Sequence, residues 1–377
     1  MYQIMTAGPV QVSERVRMAR SLECTNPDID PAFYDFYKET CDLFEKALHT
    51  DEHQALVLCG EGILGLEAAC ASLTEPGDRV LVIDNGVFGK GFADFVKIYG
   101  GEPVSFVSDY HKPVDLADLE EFLQKDDNFK YATVVHCDTP SGVLNDVEAL
   151  SKVLDAHGIM TVADSVAGLF GCKLDLSNSK IDILCGGSQK ALSAPPGLTM
   201  VCVSDRAYKA MEESKVPIAS FYCNILNFRE YYENQWFPYT MPISDIYGLR
   251  EALDAYFEME EDIYVRHDKI AAATRKAVSE AGLGLYVTEG WAQTVTAIEV
   301  PEGTTDKAIL EMMEKEHNIM ISGCFDVLAG KVLRIGHMGE NAREEKVAAT
   351  LAALQATLEK LGVTLKCNME EVFNQAL

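Results

Sequence analysis

One lysine and one aspartate stand where side chains can do chemistry. Lys190 ends the run Asp182-Ile183-Leu184-Cys185-Gly186-Gly187-Ser188-Gln189-Lys190 and is followed by Ala191-Leu192-Ser193-Ala194-Pro195-Pro196-Gly197. An apolar strand pattern thus runs into small residues, presents one lysine and turns away at a Pro-Pro-Gly bend. A buried ammonium is unfavourable, and imine formation with an aldehyde replaces it. Upstream, Thr161-Val162-Ala163-Asp164-Ser165 reads as a strand ending on a carboxylate. A lysine for an aldehyde and an acid for a pyridine nitrogen are what pyridoxal 5'-phosphate requires of a protein. Either residue alone is equally at home as a surface lysine or an ordinary strand-end acid.

A second pattern raises a rival. Ala55-Leu56-Val57-Leu58-Cys59 leads into Gly60-Glu61-Gly62-Ile63-Leu64-Gly65, and Asp84 closes the next strand pattern. The Gly-x-Gly-x-x-Gly spacing between strand and helix is the dinucleotide fingerprint of a nicotinamide-dependent oxidoreductase. Its physics suits any phosphate, because backbone N–H groups at a helix N-terminus reach an anion. Glu61 is out of place in such a loop unless its carboxylate points away. A nicotinamide enzyme has no use for the Asp164 and Lys190 pair, so the loop supports a cofactor without naming it. His49 and His53 are four apart, as on one helix face, but lack a third ligand; a solvated helix end is expected there and no metal.

Short apolar runs alternate with helical patterns through the first two thirds. Strands are expected near 55–59, 79–84, 103–107, 131–137, 159–164, 181–186 and 198–204, with helices at 62–74, 88–99, 115–125, 145–157 and 205–214. This order predicts an α/β sheet covered on both faces. One long helical stretch is expected over 243–281, followed by a smaller α+β unit with strands at 293–300, 318–322 and 331–336 and helices at 305–317 and 341–361. The chain therefore divides into an N-terminal segment (1–20), a large domain (21–259) and a small C-terminal domain (260–377).

The 377 residues carry a formal net charge of −27. That field excludes nucleic acid and anionic membrane surfaces as partners and leaves any anionic ligand to local groups. The 11 cysteines are scattered without a Cys-x-x-Cys pair, which fits reduced thiols and a cytoplasmic location. No signal peptide or apolar run of membrane-spanning length is visible.

These motifs together resemble the class V, fold-type I pyridoxal-phosphate aminotransferases, nearest the alanine–glyoxylate and serine–pyruvate group. The resemblance runs from Ala7-Gly8-Pro9 through Leu66-Glu67-Ala68-Ala69, Glu75-Pro76-Gly77-Asp78, Asp164-Ser165-Val166-Ala167 and the lysine motif to Lys331-Val332-Leu333-Arg334-Ile335-Gly336. It implies Lys190 as the Schiff-base lysine and Asp164 as the partner of the pyridine nitrogen. Phe88 falls where an aromatic ring stacks on the cofactor, and Thr139 where a hydroxyl approaches its ring oxygen. Gly62, Ile63 and Gln189 fall at phosphate-contacting positions, and Thr240 at one reaching the phosphate of a neighbouring subunit. Arg334 corresponds to the arginine that clamps a substrate carboxylate, a role suited to its fork. The implied activity moves an amino group from a small amino acid such as alanine or serine to a 2-oxo acid such as glyoxylate or pyruvate, in a homodimer with shared sites. Two residues depart from the pattern: Glu61 replaces a small hydroxyl residue, and Phe237 stands where a relative offers a tyrosine to the phosphate. The segment 25–30, beside the expected substrate region, departs as well. Other readings left open are a 2-aminoethylphosphonate–pyruvate transaminase, a cysteine desulfurase using Cys324, the nicotinamide enzyme, and a cofactor binder without turnover.

Overall fold

The computed structural model describes residues 2–259 and 262–377. Its centre is a seven-stranded sheet built from β1 (His53–Cys59), β2 (Arg79–Asp84), β3 (Glu102–Val107), β4 (Tyr131–Val135), β5 (Met160–Asp164), β6 (Ile183–Gly187) and β7 (Leu198–Ser204). Their spatial order is β1-β7-β6-β5-β4-β2-β3. Strands β3, β2, β4, β5 and β6 pair in parallel, while β7 runs antiparallel to both β6 and β1. The central strands read as unbroken apolar runs because helices cover both faces; β4, β5 and β6 are buried at every position. The parallel strands end on one edge, so Asp84, Asp164 and the loop leading to Lys190 gather there, where open α/β sheets bind ligands.

Helix α1 (Pro31–Ala47) opens with the Asp30 carboxylate accepting from Ala32 N and with proline in its first turn. The apolar alternation did not bring this helix out, although its cap signals stand in the sequence. His49 is exposed just past its end at φ 55°, the solvated helix end expected, while His53 begins β1, so the two histidines do not share a helix face.

Helix α2 (Gly62–Leu73) is buried around most of its circumference. Its glycines serve packing: a Cβ on Gly62 would lie 2.6 Å from Val166, and one on Gly65 would lie 2.4 Å from the Thr199 hydroxyl. The strand before this loop, β1, is an edge strand antiparallel to its only neighbour. A dinucleotide fold needs that strand parallel and central, which removes the nicotinamide reading.

The stretch expected as one helix over 243–281 is two, α3 (Ile243–Phe257) and α4 (Ile263–Glu280). Glu258 sits at the C-terminus of α3, where the helix dipole disfavours negative charge, and the Asp262 carboxylate caps the next helix by accepting from Tyr264 N and Val265 N. The expected domain boundary at 259/260 involves Glu260 and lies outside the described residues.

Two principal cores form. One holds Phe33, Tyr37, Leu58, Val82, Phe92, Tyr131 and Phe228; the other holds Ile270, Ile298, Leu333, Leu351 and Phe373. The second surrounds an antiparallel pair, β8 (Val295–Glu299) and β9 (Val332–Gly336). The N-terminal segment joins it: Gln3 and Ile4 pair in parallel with Ile319 and Met320, and Met5 is buried there.

Candidate active site

The loop after β6 fixes Lys190 through its own backbone. Ser188 Oγ donates to Pro195 O at 2.6 Å, Ala194 N to Ser188 O at 2.9 Å and Ser193 N to Lys190 O at 2.8 Å. From outside the loop, Val10 N donates to Gln189 O at 3.0 Å. The Lys190 ammonium donates to Ala7 O at 2.8 Å. Burial holds its pKa below the ordinary lysine value, and the Arg334 guanidinium pushes in the same direction. An amine depressed in this way is a better nucleophile and proton carrier near neutral pH.

Asp164 is buried at the end of β5, with Oδ1 accepting from Val166 N at 2.9 Å. Burial raises its carboxyl to about 7, and Asp138 and Glu61 add to the rise while Lys190 opposes it. Behind it, His136 N donates to Asp164 O, and the His136 ring lies 2.8 Å from Ser165 Oγ. Burial lowers that imidazole to about 4, which keeps it neutral.

One cavity is lined by Glu61, Ile63, Leu66, Phe88, Cys137, Thr139, Asp164, Val166, Gln189 and Lys190. The sheet edge therefore brings together seven of the nine candidate site residues, six lining the cavity and Gly62 opening the helix beside them, together with Glu61. Phe88 is aimed by its own backbone: its N–H donates to Asp138 Oδ1 at 3.1 Å, and its ring meets Phe325 edge-on at 5.9 Å. Asp138 is a positioning residue that sequence reasoning missed. It is fully buried, accepts from Ser141 N and Oγ, and leaves 2.4 Å for a Cβ on Gly86. Its place in Asp138-Thr139-Pro140-Ser141-Gly142, directly after a strand, was the available signal.

Arg334, on β9, is buried and does not line the cavity. Its Nε and Nη2 donate to Gly323 O at 2.9 and 2.7 Å, and Phe325 lies 5.6 Å from the guanidinium carbon. Nη1 retains its donors beyond this anchor. Thr240 also lies apart: its hydroxyl donates to Asp28 Oδ2 at 3.0 Å. Phe237 sits in an aromatic cluster, stacked on Tyr34 at 4.7 Å and on Tyr231 at 5.6 Å. Cys324 donates to Pro140 O at 3.2 Å, and burial raises its thiol above the ordinary value, against use as a ready thiolate nucleophile.

At the N-terminus of α2, one carboxylate oxygen of Glu61 accepts from Ile63 N at 3.1 Å. The other accepts from Gln189 Nε2 at 3.0 Å. Gln189 Oε1 is buried without a hydrogen-bond partner.

A lysine and a buried acid lining one cavity, on the C-terminal edge of a largely parallel sheet, form the arrangement that a pyridoxal-type site requires. The aminotransferase class-V family matches residues 27–345, and the chain belongs to that family and is a transaminase. It is similar to the pyridoxamine–pyruvate transaminase of Mesorhizobium japonicum, 34% identical with 95% of this chain and 92% of the relative covered. The serine–glyoxylate aminotransferase of Arabidopsis thaliana is 31% identical over 96% of this chain and 91% of its own length. Among solved structures, the ureidoglycine–glyoxylate aminotransferase of Bacillus subtilis superposes with a TM-score of 0.95 at 28% identity, covering 100% of this chain and 98% of that one.

Proposed function

We propose that the enzyme transfers an amino group between a small amino donor and a 2-oxo acid, pyruvate or glyoxylate, with a pyridoxal ring held between Phe88, Thr139, Asp164 and Lys190. The observation that carries this reading is the cavity shared by the Lys190 ammonium and the Asp164 carboxyl. The family works with pyridoxal 5'-phosphate, and the ring end of this cavity fits it: an apolar face from Phe88 and Val166, an acid and a lysine. When bound, such a ring supplies an electron sink for the carbon that loses its proton. The phosphate end does not fit: the Glu61 carboxylate occupies the Ile63 N–H and Gln189 Nε2 donors there.

The chain's own residues have separable tasks. Lys190 Nζ, depressed by burial, takes the proton from one carbon and returns it to another. Asp164 pairs with a protonated ring nitrogen. Arg334, its guanidinium anchored on Gly323 O, offers the remaining N–H groups to the substrate carboxylate. Glyoxylate is the acceptor named for the serine-using relative and pyruvate for the pyridoxamine-using one. The test is incubation with pyridoxal compounds, borohydride reduction and peptide mapping, followed by a panel of donors against both acceptors. A label on Lys190 and amino transfer to either acid are expected; a label on another lysine overturns the assignment.

The working unit in this proposal is a homodimer in the cytoplasm. Exposed Phe221, Tyr222 and Trp236 support a second copy, and the free cysteines among the described residues support a reducing compartment. The two principal cores support a large and a small domain, which we place on either side of 259/260; the N-terminal segment, residues 1–20, contributes to both, Met5 to the small core and Ala7, Val10 and Val16 to the large one. Sedimentation tests the dimer.

A further inference from the structure

We propose that Glu61 closes the phosphate end of the site, and that the pyridoxyl compound this enzyme accepts is unphosphorylated, its free hydroxymethyl group donating its one hydrogen to the Gln189 amide oxygen that Glu61 orients. The inference rests on the pyridoxal reading of Lys190 and Asp164 and deepens it by naming the ligand class.

Three observations point the same way. First, the donors a phosphate needs are already engaged by a carboxylate. Glu61 takes Ile63 N–H at the start of α2 and Gln189 Nε2, so a phosphate in that place must displace both bonds and then lie beside a like charge. Second, charge does not compensate. Among the described residues lining the cavity, Glu61 and Asp164 are the carboxylates and Lys190 the one cation, which the aldehyde consumes. Thr240, which the family resemblance would bring to the phosphate from a neighbouring subunit, donates its hydroxyl to the Asp28 carboxylate. Third, Gln189 Oε1 is buried without a partner. The Glu61 carboxylate fixes the amide so that Nε2 faces it and Oε1 faces away. An acceptor in that position calls for a donor. A hydroxymethyl O–H is a donor, whereas a phosphate dianion has no hydrogen to give.

A ring without its phosphate lacks the strongest anchor that holds such compounds in place, so it enters and leaves as a substrate. The 4-aminomethyl form then serves as amino donor. Its nitrogen passes to the keto carbon of pyruvate, and the carbonyl oxygen is returned to the ring compound by way of water. The aminomethyl carbon loses one hydrogen and two electrons to become an aldehyde; the keto carbon gains them to become the α-carbon of alanine. Lys190 Nζ carries the proton between them.

The experiment uses the full-length protein. It is incubated with pyridoxal or pyridoxal 5'-phosphate over a concentration series, reduced with borohydride and read by intact mass and peptide mapping at Lys190. Half-maximal labelling is expected at a pyridoxal concentration at least tenfold below that of the phosphate ester. Glu61→Thr should reverse or erase that preference, by tenfold or more, and Glu61→Gln, which keeps the side chain's length, should move it in the same direction. Equal or better labelling by the phosphate ester in the wild-type protein overturns the inference and leaves the transaminase reading intact. Labelling of Lys190 by neither compound overturns both. A wild-type preference for pyridoxal that both variants retain overturns the role given to Glu61.

Discussion

The Lys190 ammonium donates to the carbonyl of Ala7 at 2.8 Å, across 183 residues of sequence. The N-terminal segment that strengthens the small core thus also holds the lysine of the large one. Gly8 makes the approach possible: it adopts φ +100°, and a Cβ there would stand 2.3 Å from Lys190 Nζ. Gly8→Ala should slow pyridoxyl labelling of Lys190 at least tenfold. Left-handed backbone strain adds about 1–3 kcal/mol of destabilisation. Labelling rate and denaturant midpoint, measured together, separate the two effects; an unchanged labelling rate sinks the proposed contact.

Lys190→Ala should abolish covalent attachment and lower turnover by about 10²–10⁴-fold, the range expected for loss of a general acid–base group. The loop is held by Ser188, Ser193 and Ala194 rather than by the lysine side chain, so circular dichroism should be unchanged.

Asp164→Asn separates a chemical role from a stability effect. A neutral amide cannot hold a ring nitrogen protonated, so the rate of the first half-reaction should fall by two orders of magnitude or more, on the order of 3 kcal/mol in barrier. In the ligand-free protein, burial raises the carboxyl to about 7, above its unfolded value near 4. Its contribution to stability is therefore full below pH 4 and is lost as pH rises toward 7. A shift of that size corresponds to about 4 kcal/mol. Subtracting the variant's urea midpoints from those of the wild-type protein between pH 4 and 8 should reveal a falling component; a flat difference contradicts the buried acid.

Arg334→Lys should raise KM for 2-oxo acids about tenfold or more while labelling by pyridoxal compounds stays the same. An ammonium cannot both replace the two bonds to Gly323 O and present a fork to a carboxylate. Wild-type kinetics with pyruvate and glyoxylate would remove Arg334 from substrate recognition.

Much of the site was legible because its signals are local. Lys190 and Asp164 each end an apolar strand pattern, and a strand end is where a parallel sheet exposes chemistry. Gln189, Ile63 and Phe88 were implied by the family resemblance, position by position. Asp138 was not recognised, because nothing in its neighbourhood states that its carboxylate will receive the Phe88 N–H from another crossover. The glycine loop misled in a different way. Its spacing suited a dinucleotide, but Gly62 and Gly65 are needed to let α2 approach Val166 and Thr199.

By itself, the sequence determined the α/β alternation, the two chemical residues and the anomaly at Glu61, since residue type and short-range period are local properties. Tertiary structure decided what those residues meet. It placed β1 on an antiparallel edge, split the 243–281 stretch at the Asp262 cap, and separated His49 from His53 between a helix end and a strand. It also turned Glu61 back onto its own helix and against Gln189, 128 residues away. Periodicity records which face of an element is apolar; it carries no record of which distant donor a carboxylate will find, because that pairing is set by the spatial order of the strands.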